Sequence, residues 1–164
     1  MKSLCLLSFA LCLLAQAPKA DKASPKAPVG RPNFSGAWGL LLGRSDFGRI
    51  PAPQKVVDVI EHRPPKIKVK STVALAGKEY TAEMNYTTDG QTNVNFEPGG
   101  DRIKSRSRWS GAELVTESEI EIGFDTTKFR ERWRLADGGK TFINDRVIAS
   151  KTGDVVQRLV YARK

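Results

Sequence analysis

The chain has 164 residues, with 27 Lys and Arg against 18 Asp and Glu, a formal net charge of +9, two Cys and one His. That length is enough for one domain with a real core, and a single His excludes a histidine cluster for metal. Both cysteines, Cys5 and Cys12, fall in an N-terminal leader, so the mature chain is expected to have no disulfide, thiol nucleophile or thiolate metal site.

Residues 1–17, MKSLCLLSFALCLLAQA, carry one Lys, an apolar run from Leu4 to Ala15 and then Ala15-Gln16-Ala17. This is the layout of a secretory signal peptide, and the apolar run is short for a membrane span. Cleavage is expected after Ala15 or Ala17, with Pro18 hindering the second. Cys12 follows Phe9-Ala10-Leu11, a poor match to a lipoprotein site. A secreted or periplasmic protein with no membrane span in its mature form is expected. Residues 18–32 are rich in Ala, Pro and Lys and contain almost no large apolar side chain, which predicts a disordered, extended tether. Removing residues 1–17 takes away only Lys2 and leaves 26 basic against 18 acidic residues, net +8. A basic surface suits contact with an anionic envelope and also simply serves solubility.

From residue 33 to 164 the pattern is β throughout. Lys66, Lys68 and Lys70 alternate with Ile67, Val69 and Val73. Tyr80, Met84 and Tyr86 alternate with Thr81, Glu83 and Asn85. Phe129, Trp133 and Leu135 alternate with Arg130, Arg132 and Arg134. A period of two marks strands with one wet face. Turn residues such as Gly77, Asp89-Gly90, Gly99-Gly100, Ser110-Gly111, Gly123, Asp137-Gly138-Gly139 and Gly153 separate the runs. Strands are predicted near 37–43, 54–62, 66–75, 79–87, 91–97, 102–109, 112–122, 127–136, 140–149 and 153–163. Short loops make these an antiparallel up-and-down meander of about ten strands. Closing it into a barrel removes two exposed edges; a two-sheet sandwich is the competing solution.

The ends of the meander carry a resemblance. NFSGAWGL, with Phe34, Gly36 and Trp38, resembles the first strand of the calycins, the lipocalins and fatty-acid-binding proteins. VVQRLVYARK resembles the last strand of the fatty-acid-binding proteins, and WSGAELV and ADGGKTF resemble their hairpins. The start also resembles a group of uncharacterised secreted bacterial proteins that begin NFSG-x-W. The resemblance implies an all-β barrel whose floor is plugged by Trp38, with Gly36 allowing a tight strand entry. It also implies that an Arg of the last strand, Arg158 or alternatively Arg163, lies across the indole. Fatty-acid-binding proteins hold a carboxylate with an Arg and a Tyr two residues apart in that strand. Here Arg158 and Tyr161 are three apart and face opposite ways, a departure from that device. Residues 44–53 are also too short and Pro-rich for the two-helix lid of those proteins.

Catalytic chemistry has little support. His62, before Arg63-Pro64-Pro65 at a strand end, is expected on the surface, and no nucleophile elbow or phosphate loop is present. Glu117, Glu119 and Glu121 lie between strands bearing Arg102, Lys104, Arg106 and Arg108 and Arg130, Arg132 and Arg134. They are expected to form cross-strand pairs on the outer face. The aromatic residues occupy the opposite parity from these Arg rows, which argues against nucleic-acid binding. The inward parity holds Glu131, Asn144, Arg146, Gln157 and Tyr161. These polar groups either satisfy one another in a packed core or line a cavity for a small apolar or amphipathic ligand. Met84, Tyr86 and Trp133, with Tyr80, Phe96 and Trp109, would form the apolar wall. The expectation is a non-enzymatic, monomeric binding protein without cofactor or metal. The alternative is a structural or interaction domain of the envelope.

Overall fold

The computed structural model describes residues 30–123 and 125–164. The expected signal peptide and most of the expected tether lie outside the described residues. Ten strands follow in chain order: β1 Gly36–Leu40, β2 Lys55–Arg63, β3 Lys66–Leu75, β4 Lys78–Thr87, β5 Asp89–Phe96, β6 Arg102–Ser110, β7 Glu113–Ile122, β8 Asp125–Ala136, β9 Thr141–Ala149 and β10 Val155–Arg163. They form one antiparallel sheet in the order β4-β3-β2-β1-β10-β9-β8-β7-β6-β5. Apart from β4 and β5, each strand pairs with its sequence neighbour, and β1 pairs with both β2 and β10, so the sheet curls into a nearly closed up-and-down barrel.

The barrel is left open at one seam, because β4 and β5 share no backbone ladder. The buried side chain of Asn95 bridges it. Its Oδ1 accepts from the Asn85 amide at 2.7 Å, and its Nδ2 donates to the Asn85 carbonyl at 3.0 Å. One primary amide thus supplies the donor and acceptor that a paired strand would have offered. Asn93 adds a bond from its Nδ2 to the Thr87 hydroxyl at 3.1 Å.

The floor is aromatic. Phe34 and Trp38 are fully buried, and the Trp38 indole N–H donates to the Phe34 carbonyl at 2.9 Å. The Arg163 guanidinium lies 4.5 Å from the Trp38 ring centroid and donates to the Ser35 carbonyl at 3.0 Å. Arg158, the other residue expected as a candidate for this role, is exposed and instead pairs with Asp145 at 2.7 Å. The register explains the correction: Trp38 stands opposite Arg163, whereas Arg158 stands opposite Asp145 on the outer face. Gly36 is required here for two reasons. Its φ is +145°, and an added Cβ would lie 2.5 Å from Arg163 Nη1. At the end of the tether, Arg31 lies over the Trp109 ring at 5.7 Å.

Outside, the acidic row of β7 meets its basic neighbours as expected. Lys104 approaches Glu119 and Glu121, Arg108 and Arg130 approach Glu117, and Arg132 approaches Glu113, at 3.3–3.9 Å. These exposed pairs fix register more than they add stability.

Two outcomes check the closure. In chemical denaturation, Trp38→Ala costs about 3–5 kcal/mol and Arg163→Ala about 1 kcal/mol, while Arg158→Ala leaves the midpoint nearly unchanged. In hydrogen exchange, Asn95→Ala speeds exchange of the Asn85 amide and its β4 neighbours but not of the amides linking β1 and β10.

Candidate functional site

The interior holds a cavity of about 450 Å³ above the aromatic floor, within the range of small-molecule sites. Its apolar wall includes Val56, Ile60, Val69, Met84, Trp133 and Leu159. Its mouth is bounded by Leu40, Phe47, Ile50, Pro51 and Pro53 on one side and Leu75 and Ala82 on the other. The segment 41–54 takes the place of a helical lid and is stapled to β10. The Leu41 amide donates to the Val160 carbonyl, Asp46 and Arg158 exchange backbone bonds, and Gln157 Nε2 donates to the Phe47 carbonyl at 3.0 Å. Arg49 holds the β9–β10 turn through the carbonyls of Thr152, Gly153 and Asp154.

Strand alternation sends the polar set inward. Glu131 of β8 stands directly opposite Arg146 of β9, and Asn144 stands opposite Trp133. Glu131 Oε1 accepts from Arg146 Nη2 at 2.6 Å, from Arg146 Nε at 2.7 Å and from Asn144 Nδ2 at 3.0 Å. Gln157 and Tyr161 project from β10 into the same space, and Tyr86 enters from β4. All eight residues expected to bind ligand, Glu131, Arg146, Asn144, Gln157, Tyr161, Trp133, Tyr86 and Met84, border this one cavity.

Asp58 joins the site without having been expected there. It is buried on β2, opposite Ser71, and lines the cavity. Burial raises its pKa, while the Ser71 and Tyr161 hydroxyls and the charge of Arg146 pull it down and Glu131 pushes it up again. Burial also raises the phenols of Tyr86 and Tyr161, reinforced by Glu131 at the first and Asp58 at the second. At Arg146 burial acts downward, but Glu131, hydrogen-bonded to it, carries the balance upward. A signal for Asp58 was present: in KVVDVIEH it shares parity with Val56, Ile60 and His62.

The same parity corrects His62, which is buried rather than on the surface. Its ring lies within 22° of parallel to Phe34 and Trp109, with centroids 5.8–6.0 Å away, and its Nδ1 accepts the Phe34 amide at 3.2 Å. Desolvation lowers its pKa. The expected wall also needs amendment. Trp109 packs in the floor, Tyr80 keeps inward parity but lies 47% exposed, and Phe96 stands opposite the outward Arg102 and is 61% exposed. A larger trough of about 680 Å³ crosses the outside of β6 to β9. There Lys104 and Arg130 approach Glu119 and Glu117 at 3.8 and 3.9 Å, and Arg106 donates to the Thr92 hydroxyl at 2.7 Å.

The Asp58 shift fixes a pH dependence. A carboxyl whose folded pKa is raised contributes stability that is complete below the unfolded value, about 3.9, and lost as pH rises through the folded pKa. Asp58→Asn, measured by thermal or urea unfolding, is therefore more stable than the parent at neutral pH. The gain disappears below about pH 3.9.

No protein-family model matches the chain, and no curated protein matches it by sequence. Solved structures match its fold. Zebrafish ileal bile-acid-binding protein, crystallised with cholic acid, superposes with a TM-score of 0.58 at 13% identity, covering 80% of this chain and 98% of the other. Secretory abundant heat soluble protein 4 of Ramazzottius varieornatus gives 0.56 at 17%, covering 80% and 94%. Lipid binding protein 8 of Caenorhabditis elegans gives 0.55 at 10%, covering 80% and 95%. The chain thus has the ten-stranded, nearly closed calycin barrel of the fatty-acid-binding proteins.

Proposed function

We propose that the protein is an exported, monomeric, non-enzymatic carrier that holds a small apolar or amphipathic ligand inside its barrel. The observation that carries this is the interior cavity: about 450 Å³, mostly apolar, and edged by a small polar cluster on β2, β8, β9 and β10. Such a combination buries an apolar body and orients one polar end. Proteins of the same fold include a bile-acid-binding protein holding cholic acid and a fatty acid transporter, which supports the class of ligand. Export rests on the leader at residues 1–17. The absence of catalysis is supported by the placement of the single histidine, whose Nδ1 is engaged by the backbone of Phe34 within an aromatic stack.

Native mass spectrometry of protein purified from an exporting host, before and after solvent extraction, tests the proposal. A discrete extra mass removed by extraction is expected. A bare protein mass that acquires no added lipid would favour a packed envelope domain instead. Arg146→Ala separates the two in a second way. For a carrier it abolishes retention of the extra mass. For a packed domain its sole effect is a stability loss of about 2–3 kcal/mol, from leaving Glu131 with Asn144 alone.

A further inference from the structure

The polar cluster also indicates which end group the cavity accepts. Among the described residues lining the cavity, Arg146 is the only Lys or Arg, whereas Asp58 and Glu131 lie inside and Glu97 stands at the mouth. The guanidinium is already engaged, since both its Nε and Nη2 reach Glu131 Oε1. Asn144 is oriented by the same carboxylate: its Nδ2 donates to Glu131, which leaves its Oδ1 over. Two acceptors on residues lining the cavity are buried without a partner, Asp58 Oδ1 and Asn144 Oδ1, along with one donor, Trp133 Nε1. Asp58 is only 8% exposed, so its free oxygen is not satisfied by bulk solvent. A buried acceptor without a donor is costly, and a ligand that brings the donor recovers that cost.

A carboxylate end group fits this wall badly. It brings negative charge and further acceptors to a site that has two interior carboxylates and one guanidinium already paired. Entry would require breaking the Glu131–Arg146 pair or setting like charges together in a poorly solvated space. A hydroxyl or an ammonium supplies what Asp58 Oδ1 and Asn144 Oδ1 lack and leaves the ion pair intact.

Building on the carrier proposal, we infer that the ligand is an apolar molecule whose polar end is a hydrogen-bond donor, a hydroxyl or an amine, received by Asp58 and Asn144, and that the barrel discriminates against carboxylates. The polarity is thus the reverse of a site that clamps an acid with an arginine.

The test compares dodecan-1-ol, dodecylamine and dodecanoic acid as competitors for Nile red bound to the exported protein at neutral pH, with direct binding confirmed by native mass spectrometry. The alcohol and amine are expected to compete at least tenfold more tightly than the acid. Preference for the amine over the alcohol would identify a charged end group, and the reverse a neutral one; both support the donor assignment. Asp58→Asn should reduce amine binding at least tenfold while preserving the alcohol within a few-fold. Glu131→Gln, which frees the guanidinium, should improve dodecanoic acid at least tenfold; this gain also shows that the variant is folded. Acid binding as tight as alcohol and amine in the parent overturns the donor assignment and leaves the carrier proposal standing. If none of the three, nor Nile red, binds, both are overturned.

Discussion

A guanidinium lying on an indole holds this barrel shut. Trp38 of the first strand and Arg163 of the last are register partners, so the contact between them joins the two ends of the strand meander. The seam between β1 and β10 is short, because β1 has only five residues. Side chains must therefore reinforce what few backbone bonds can supply. Arg163 does so three ways, stacking on Trp38 and donating to the carbonyls of Ser35 and Gly139. Gly36 makes room for it, and Phe34 accepts the indole N–H on its carbonyl while its ring packs on His62, Trp109, Trp133 and Phe142. With no cysteine in the barrel, this aromatic cluster performs the tying that a cross-link performs in many small exported domains.

Closing the floor in this way leaves the opposite half of the barrel free to be hollow. The aromatic cluster around Phe34 fills the floor, while Val, Ile, Met and Leu side chains make up much of the wall above, alongside Tyr86, Trp133 and Tyr161. Barrel circumference is set by strand number, so ten strands enclose more width than their medium-sized side chains fill. The mouth is then bounded by the segment 41–54, held along β10 by backbone bonds and by Gln157. A polar residue of the interior thereby helps position the rim, and the cavity and its entrance share one strand.

Much of this architecture was legible in the sequence because strand alternation is a local signal. The observed strands coincide with the expected ones to within two residues at almost every end, since Gly and Asx turns mark reversals without reference to the rest of the molecule. The inward polar set was legible for the same reason. What escaped was everything decided by partners distant in sequence. Arg158 and Arg163 both sit on the last strand, and only the register with β1 shows which one meets Trp38. His62 stands at a strand end beside two prolines, a surface context locally, yet Phe34 arrives from 28 residues away to cover it. Phe96 is aromatic in a strand, but β5 borders the open seam, and there Asn95 rather than Phe96 takes the inward place. Asp58 was legible by parity, but it stands alone as a charge among the buried residues of β2, with no cation facing it on the neighbouring strand.

Asp58 and Glu131 are both buried acids in one cavity, yet they serve the molecule differently. Glu131 has a guanidinium directly opposite and an amide beside it, so its charge is balanced and its removal would orphan Arg146. Asp58 has no cation of its own; hydroxyls of Ser71 and Tyr161 soften its burial, and one oxygen stays without a partner. For the empty barrel an apolar side chain at that position would be the more stable choice, as β2 already has in Val56 and Ile60 on the same face. A residue that weakens the fold while carrying an unsatisfied acceptor in a cavity wall has the character of a recognition group. Glu131, balanced by Arg146, then acts as its frame, holding Asn144 through Nδ2 and leaving a second acceptor unpaired on a residue of the same cavity.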